Sequence, residues 1–474
     1  MLTGTAAVAL SAARPGPRMP RRGPPPRPWI RTLSWPGAAQ RVRARPPGLR
    51  TAVGIMALAL VIALVLQTLS TAQGVASGGA RCTNDEGCQL NGKCAGDGVC
   101  VCVPEWTGLD CSLLNLKPAR PSPHAGYDEH GTSSWGGSIV EDPAGGLWHM
   151  YVSRMAGHCG LNAWQQASEI IHATSIDPVG PYVYNETIMG VFAHGPSVRA
   201  TPKGYMMMHL GCGVPFVPPF NDCKNGITPK GHGSAGFKGN ITRACTEFNV
   251  SVMTASSLSG PWSASSPVHL TTGWGRGADT KNHFSNPAPY VMPDGTFRVA
   301  FRASSKVYDR EKGGEFVSIA TAPQMDGPYV DTRTSPALSS AAEDPFLWQD
   351  ERGHWHMLLH NMGPPFAPCS PSRPCPPFPR LPEQVSRHAY SRSVDGPWTS
   401  SGTAPYTQLV AFSDGTQKNI TRRERPQLVL SDKGQPRFFS TGVEDNADHT
   451  YTLVMAIKTA ADHRRRDAGD RAAP

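Results

Sequence analysis

The chain has 474 residues, of which 39% are hydrophobic and 17% charged, enough to bury a sizeable core and carry accessory segments besides. Its formal net charge is +9, yet ten arginines fall in the first fifty residues without a single Asp or Glu, and several more lie in the last twelve. The excess sits on two terminal arms and leaves the body near balance, which excludes a nucleic-acid-binding face.

Residues 1–50 are a Pro- and Arg-rich tail expected to be disordered and cytosolic. Residues 51–72 follow as an expected transmembrane helix. Thr51 to Ala80 holds no charged residue, and Ala52 to Leu69 is nearly all apolar, close to the roughly 20 residues that cross a bilayer core. Positive-inside bias places the N-terminus in the cytosol and everything after the helix in the lumen or outside. The expected topology is a single-pass type II protein of the secretory pathway, resident in the Golgi or the plasma membrane. Its basic arm suits anionic headgroups, so the membrane is the first expected partner. All twelve cysteines come after the helix, as an oxidising compartment requires. So do all four N-glycosylation sequons, at Asn185, Asn240, Asn249 and Asn419.

Residues 81–112 hold six cysteines spaced Cys82-x5-Cys88-x5-Cys94-x5-Cys100-x-Cys102-x8-Cys111. A segment this short cannot bury enough core to fold without staples, so disulfides should be its structure. Spacing alone leaves fifteen pairings. The segment resembles the EGF-like domain, whose C-terminal signature it matches through Cys100-Val101-Cys102 and Gly108-Leu109-Asp110-Cys111. That resemblance implies the pairs Cys82–Cys94, Cys88–Cys100 and Cys102–Cys111. It also implies a module that acts either as a rigid spacer above the membrane or as a docking site for a protein partner. Of the other six cysteines, Cys369 and Cys375 flank a short Ser-Pro-rich loop and are expected to bond, while the pairing of Cys159, Cys212, Cys223 and Cys245 stays open. No Cys-x2-Cys or paired-His spacing supports zinc, and neither a metal nor a cofactor is expected.

From residue 125 to 461 one unit recurs five times: a Pro or Gly, seven residues, then a Gly. The copies run Gly137–Gly145, Pro196–Gly204, Pro287–Gly295, Pro345–Gly353 and Pro426–Gly434. Four of the units close on Gly-Pro-aromatic, with Tyr182, Trp262, Tyr329 and Trp398 as the aromatic residues, expected to be wedges between sheets. Short alternating runs bounded by turn residues read as hairpins, and a fivefold hairpin repeat reads as a five-bladed β-propeller. The fold class is therefore mainly β. Inserts at 212–250, 268–284 and 364–386 should ornament one face, and a charged tail, 462–474, ends the chain.

The inner strands of such a ring crowd the axis, which would bring together the residues beside each repeated Pro or Gly. Those are Trp135, His194, Asn286, Glu343, Asp344, Glu424 and Arg425, with Arg302 and His360 from neighbouring strand ends. Carboxylates for hydroxyls or proton transfer and an aromatic face for stacking make up a sugar site. The x-Pro-x7-Gly units and their Gly-Pro-Trp/Tyr closures resemble glycoside hydrolase family 43 and its relatives in families 32, 62 and 68. The resemblance implies three catalytic acids around the channel, for which Asp344, Glu343 and Glu424 are the candidates. Trp135, His194, Asn286, Arg302, His360 and Arg425 are then the candidates for substrate contact. The first blade departs from that pattern: Trp135-Gly136-Gly137-Ser138 carries no carboxylate, with Asp128 and Glu129 just upstream as the nearest replacements. The expected function is carbohydrate binding, with hydrolysis open because the acid set is incomplete. The alternative is a non-catalytic glycan-binding or adhesion receptor.

Overall fold

The computed structural model describes residues 82–214, 249–274, 283–304, 315–338, 342–362, 385–446 and 449–462. The expected cytosolic tail and transmembrane helix lie outside the described residues, as do Asn240, the Cys369–Cys375 pair and the end of the charged tail. Among the described residues no helix is long and apolar enough to cross a membrane.

Five antiparallel hairpin-built sheets follow one another along the chain. Blade 1 is Ser134–Glu141, Trp148–Met155, Ser168–Ser175 and Val183–Met189; blade 2 is Val191–Thr201, Gly204–Val214, Val250–Ala255 and Ser266–Pro267. Blade 3 is His283–Val291, Phe297–Ser304, Glu315–Ala322 and Tyr329–Asp331, with Leu270–Thr272 added in parallel at its edge. Blade 4 is Ala342–Gln349, Trp355–Asn361, Ser386–Ser391 and the two-residue strand Thr399–Ser400. Blade 5 has three strands, Arg422–Leu430, Pro436–Asn446 and His449–Ala456. The first strands of the five blades contact one another in a closed ring, which makes them the inner strands of a five-bladed propeller.

Each part of the repeat has a local cause. The Gly that ends each copy sits at φ between 72° and 118°, in hairpin turns that an L side chain adopts only with strain. The Gly-Pro-aromatic closures are wedges, as expected. Tyr182 Oη donates to Pro178 O at 2.9 Å, Tyr329 Oη to Met325 O at 2.9 Å and Trp398 Nε1 to Val394 O at 3.1 Å. The matching carbonyl in blade 2, Leu258 O, is taken by Tyr151 Oη instead of by Trp262 Nε1. Between blades the packing is apolar. Met206, Met208 and Val252 of blade 2, for example, meet Phe301, Phe316 and Tyr329 of blade 3, and each fully buried side chain of this size contributes about 1.5–3 kcal/mol.

The ring closes through the segment that precedes blade 1. Leu116 bridges Ile457 and Tyr127 bridges Thr452, so residues 116–127 supply the outer edge that blade 5 lacks.

The cysteine-rich module has the three disulfides Cys82–Cys94, Cys88–Cys100 and Cys102–Cys111. Cys159 and Cys212 are also disulfide-bonded. The module shares a core with blades 4 and 5. Trp106, Cys111 and Leu114 pack with Phe346, Trp348, Leu358, Tyr406 and Phe439. Polar contacts fix the docking: Arg392 Nε to Glu86 Oε1 at 2.5 Å, Tyr390 Oη to Glu86 O at 3.1 Å, Arg352 NH1 to Gly92 O at 3.0 Å. With an outer strand of two residues, blade 4 leaves its flank open, and the module covers it.

Candidate functional site

Five residues in the left-handed region mark the axis. Gly136, Gly195, Asn286, Asp344 and Arg425, at φ between 53° and 64°, each precede the repeated Pro or Gly of their blade. The ladder slips at this point in all five blades, so an extra residue bulges from each inner strand. The bulge turns five consecutive-blade residues toward one small cavity of about 20 Å³, room for about one water. Asn286 Nδ2 donates to Asp344 Oδ1 at 2.6 Å, and Arg425 NH1 lies 3.6 Å from the same oxygen.

Arg425 also explains the missing first-blade acid. A Cβ on Gly136 would lie 2.7 Å from Arg425 Cβ, and one on Gly195 would lie 2.6 Å from Arg425 NH1. The arginine from blade 5 fills the space that side chains of blades 1 and 2 would occupy, so neither blade can present a carboxylate there. Asp128 and Glu129 do not substitute. Asp128 is held by Ser122 Oγ and by His449 Nε2 at 3.1 Å, and Glu129 by Tyr127 Oη at 2.5 Å and Arg154 NH1 at 3.2 Å.

Around this centre runs an arc of alternating charge across three blades. Arg302 joins Glu315 at 3.0 Å and Glu343 at 2.5 Å. His360 Nδ1 lies 3.1 Å from Glu343 Oε1, and its Nε2 lies 4.0 Å from Glu424 Oε1. Arg422 holds Glu424 with two bonds, at 2.9 and 3.0 Å, and approaches Glu444 at 3.9 Å. Glu315, Arg422 and Glu444 were not among the expected site residues. Glu315 starts a third strand after an insert, outside the repeat. Arg422 carried a usable signal, since a residue two before Glu424 on one strand shares its face.

Electrostatics divides the acids. Burial raises the Glu343 carboxyl, but the hydrogen bond to His360 and the charge of Arg302 outweigh it and hold it well below the usual carboxylate range. Burial lifts Asp344, with Arg425 opposing and Glu343 adding to the rise. His360 is depressed by burial but carried above its ordinary value by Glu343 and Glu424, which favours the cation the alternation calls for. Burial pushes Glu315 up, with Glu343 adding to the rise and Arg302 opposing it.

Asp344 therefore has a clear pH signature. Its folded carboxyl binds a proton more tightly than the unfolded one, so its contribution to stability is present at low pH and is lost as pH rises through the interval above the unfolded value of about 4. Denaturant unfolding from pH 4 to 7 should show wild type losing stability relative to Asp344→Asn. A parallel pair of curves would contradict the assignment.

The other expected contacts separate. Asn286, Arg302, His360 and Arg425 belong to this cluster. His194 is buried below it, with Nδ1 2.6 Å from Ser168 Oγ and its ring 5.0 Å from Trp164, and burial with Arg425 holds it well below its ordinary pKa. Trp135 is corrected as a stacking platform. It is 3% exposed, with Arg422 over its ring at 5.1 Å and the Gly442 backbone against it. Glu343, Asp344, His360 and Glu424 each bring one ligating atom within 4.8 Å of the others, the set that could face a cation, though both oxygens of Glu343 and Glu424 already accept bonds.

No known family pattern matches the chain. The human and mouse disintegrin and metalloproteinase domain-containing protein 11 are 47% identical to it over 34 residues, 7% of this chain and 4% of theirs, so it spans a small fraction of these curated relatives. Among solved structures it is similar to a thermostable family-43 glycoside hydrolase, at 12% identity and TM-score 0.44, covering 72% of this chain and 96% of that one. A family 117 glycoside hydrolase of Zobellia galactanivorans matches at 13% identity and TM-score 0.45, covering 73% and 90%. An α-L-arabinofuranosidase from Podospora anserina matches at 10% and 0.42, covering 72% and 95%. The propeller assignment rests on the five sheets themselves.

Proposed function

We propose that this chain is a single-pass type II glycoprotein of the secretory pathway. Its EGF-like module braces a five-bladed propeller, and the propeller recognises carbohydrate through the charged arc of blades 3 to 5 without cleaving it. One observation carries the non-catalytic reading: every candidate acid is already committed. Glu343 is bonded to Arg302 and His360, Glu424 to both arms of Arg422, and Asp344 faces a space of about one water. A glycosidase needs two carboxyls roughly 5–5.5 Å apart for retention or 6.5–9.5 Å for inversion, with one able to reach the glycosidic oxygen. Here the nearest oxygens of three acids lie within 4.8 Å of one another on adjacent blades, so the non-catalytic reading rests on their engagement by Arg302, His360 and Arg422 and not on spacing.

The same arc suits sugar hydroxyls. A vicinal diol donates to one carboxylate oxygen and accepts from the next guanidinium, and alternating partners along an arc supply both roles in register. The test uses the chain purified from a eukaryotic secretory host, applied to an array of α- and β-linked oligosaccharides with reducing ends assayed in parallel. Binding without release of reducing ends, weakened about tenfold or more by Glu424→Gln, is the expected result. Release of reducing ends that stops in Asp344→Asn would establish a hydrolase instead, and no binding to any glycan would end the carbohydrate reading.

A further inference from the structure

Away from the axis, a cleft of about 520 Å³ opens between the outer strand of blade 1 and the outer part of blade 2. Its volume falls within the roughly 300–1,000 Å³ of small-molecule sites. Glu186–Met189 form one wall, and the turn from Ser259 to Ser265, with Trp262, forms the other. The lining combines an aromatic ring, hydroxyls and a carboxylate with apolar Ile188, Met189 and Met253, the amphipathic mix that holds a sugar ring.

Asn185 stands immediately before that wall and heads the acceptor sequence Asn185-Glu186-Thr187. Asn185 is exposed and lies one residue from Glu186, at the edge of that lining. Nδ2 lies 3.3 Å from His172 Nδ1, the His172 ring stacks at 5.1 Å on Tyr151, and Tyr151 meets Trp262 edge-on at 5.3 Å. A second observation points to a missing cover. Val183–Met189 is an edge strand whose first five residues are exposed, Val183 by 66% and Tyr184 by 43%, and an open apolar edge invites pairing with another chain.

We propose that Asn185 carries an N-linked glycan whose first sugars lie in this cleft against Trp262, sealing the edge of blade 1. The inference rests on the secretory topology proposed above. In forming the bond, Nδ2 of Asn185 attacks the anomeric carbon of a lipid-linked oligosaccharide. The N–C bond forms, the C–O bond to the lipid pyrophosphate breaks, the pyrophosphate leaves with the electron pair, and the amide loses one proton. Folding then places the first sugars beside Glu186 and the serines of the opposite wall. Asn249 and Asn419 are exposed acceptors outside this lining and serve as internal references.

The test is site-resolved mass spectrometry of the full chain from a eukaryotic secretory host, followed by timed digestion with a peptide N-glycosidase before and after denaturation. Native release from Asn185 should be about tenfold or more slower than from Asn249 and Asn419, and equal to theirs after denaturation. Trp262→Ala should remove the protection, and Trp262→Tyr, which keeps an aromatic wedge, should retain it. An unoccupied Asn185, or one released at the reference rate in the native wild type, overturns the cleft assignment whatever the variants do. If Asn249 and Asn419 are unoccupied as well, the secretory topology falls with it.

Discussion

Gly126→Ala should unfasten the propeller ring, at a cost of about 4 kcal/mol or more in denaturant unfolding. A Cβ at residue 126 would lie 1.8 Å from the Thr452 carbonyl oxygen, a backbone atom that cannot rotate away, and φ at this position is +69°. The closing segment must then move off blade 5. Four backbone hydrogen bonds go with it: Gly126 N to Val179 O at 2.7 Å, Tyr127 N to Thr452 O at 2.9 Å, Thr452 N to Tyr127 O at 3.1 Å and Tyr182 N to Gly126 O at 2.8 Å. At about 1 kcal/mol net each, their loss alone reaches the stated cost before steric strain is added. The exposed Gly145→Ala is the control for glycine replacement at positive φ, since nothing lies within 4 Å of its Cβ. Equal losses in the two variants would show that backbone strain, and not ring closure, sets the cost.

Arg302→Met should cost about 3 kcal/mol, because it strands two acids in a partly buried site. Glu315 and Glu343 lie on either side of the guanidinium, at 3.0 and 2.5 Å, and without it they face each other as like charges. The acid limb of stability should change as well. In wild type the Glu343 carboxyl is held below its unfolded value, so its contribution is present above about pH 4.5 and is lost as pH falls through the depressed folded value. Removing Arg302 raises that carboxyl, and the contribution should shrink and fade at a higher pH. Adding Glu343→Gln to Arg302→Met should recover part of the loss, which a double-mutant cycle followed by guanidinium unfolding measures directly. Strict additivity would mean that the pair does not interact.

How much of this was readable beforehand differs by level. The fivefold Pro/Gly-x7-Gly unit was legible because each copy obeys local rules, a turn that needs positive φ and, in four copies, a Pro at the bulge of the inner strand, and local rules survive in a single sequence. The aromatic wedges were legible for the same reason. The three disulfides of the N-terminal module followed from its resemblance and agree with the bonds observed. What stayed hidden depends on contacts across the ring. Nothing near Trp135 shows that Arg425, almost three hundred positions away, occupies the volume over Gly136 and Gly195. Trp135 lacked a counterpart in other blades and so read as special, but its uniqueness comes from packing beneath Arg422 and against Gly442. Glu315 is outside the repeat and joins the site only because Arg302 bridges two blades.

The docking of the cysteine module has a consequence for the order of biosynthesis. Its partners come late: Arg352 reaches back across 260 positions to Gly92, Tyr390 across 304 to Glu86, and Lys117 waits for Asp462, 345 positions on. While the ribosome is still delivering blades 1 to 3, the module and closing segment have no seat, and their apolar faces are open to chaperones. Contacts of this span make folding slow. A module made before any blade is among the last to be placed, and a chain truncated before residue 385 would lose the third strand of blade 4, all of blade 5 and most of the surface on which that module rests.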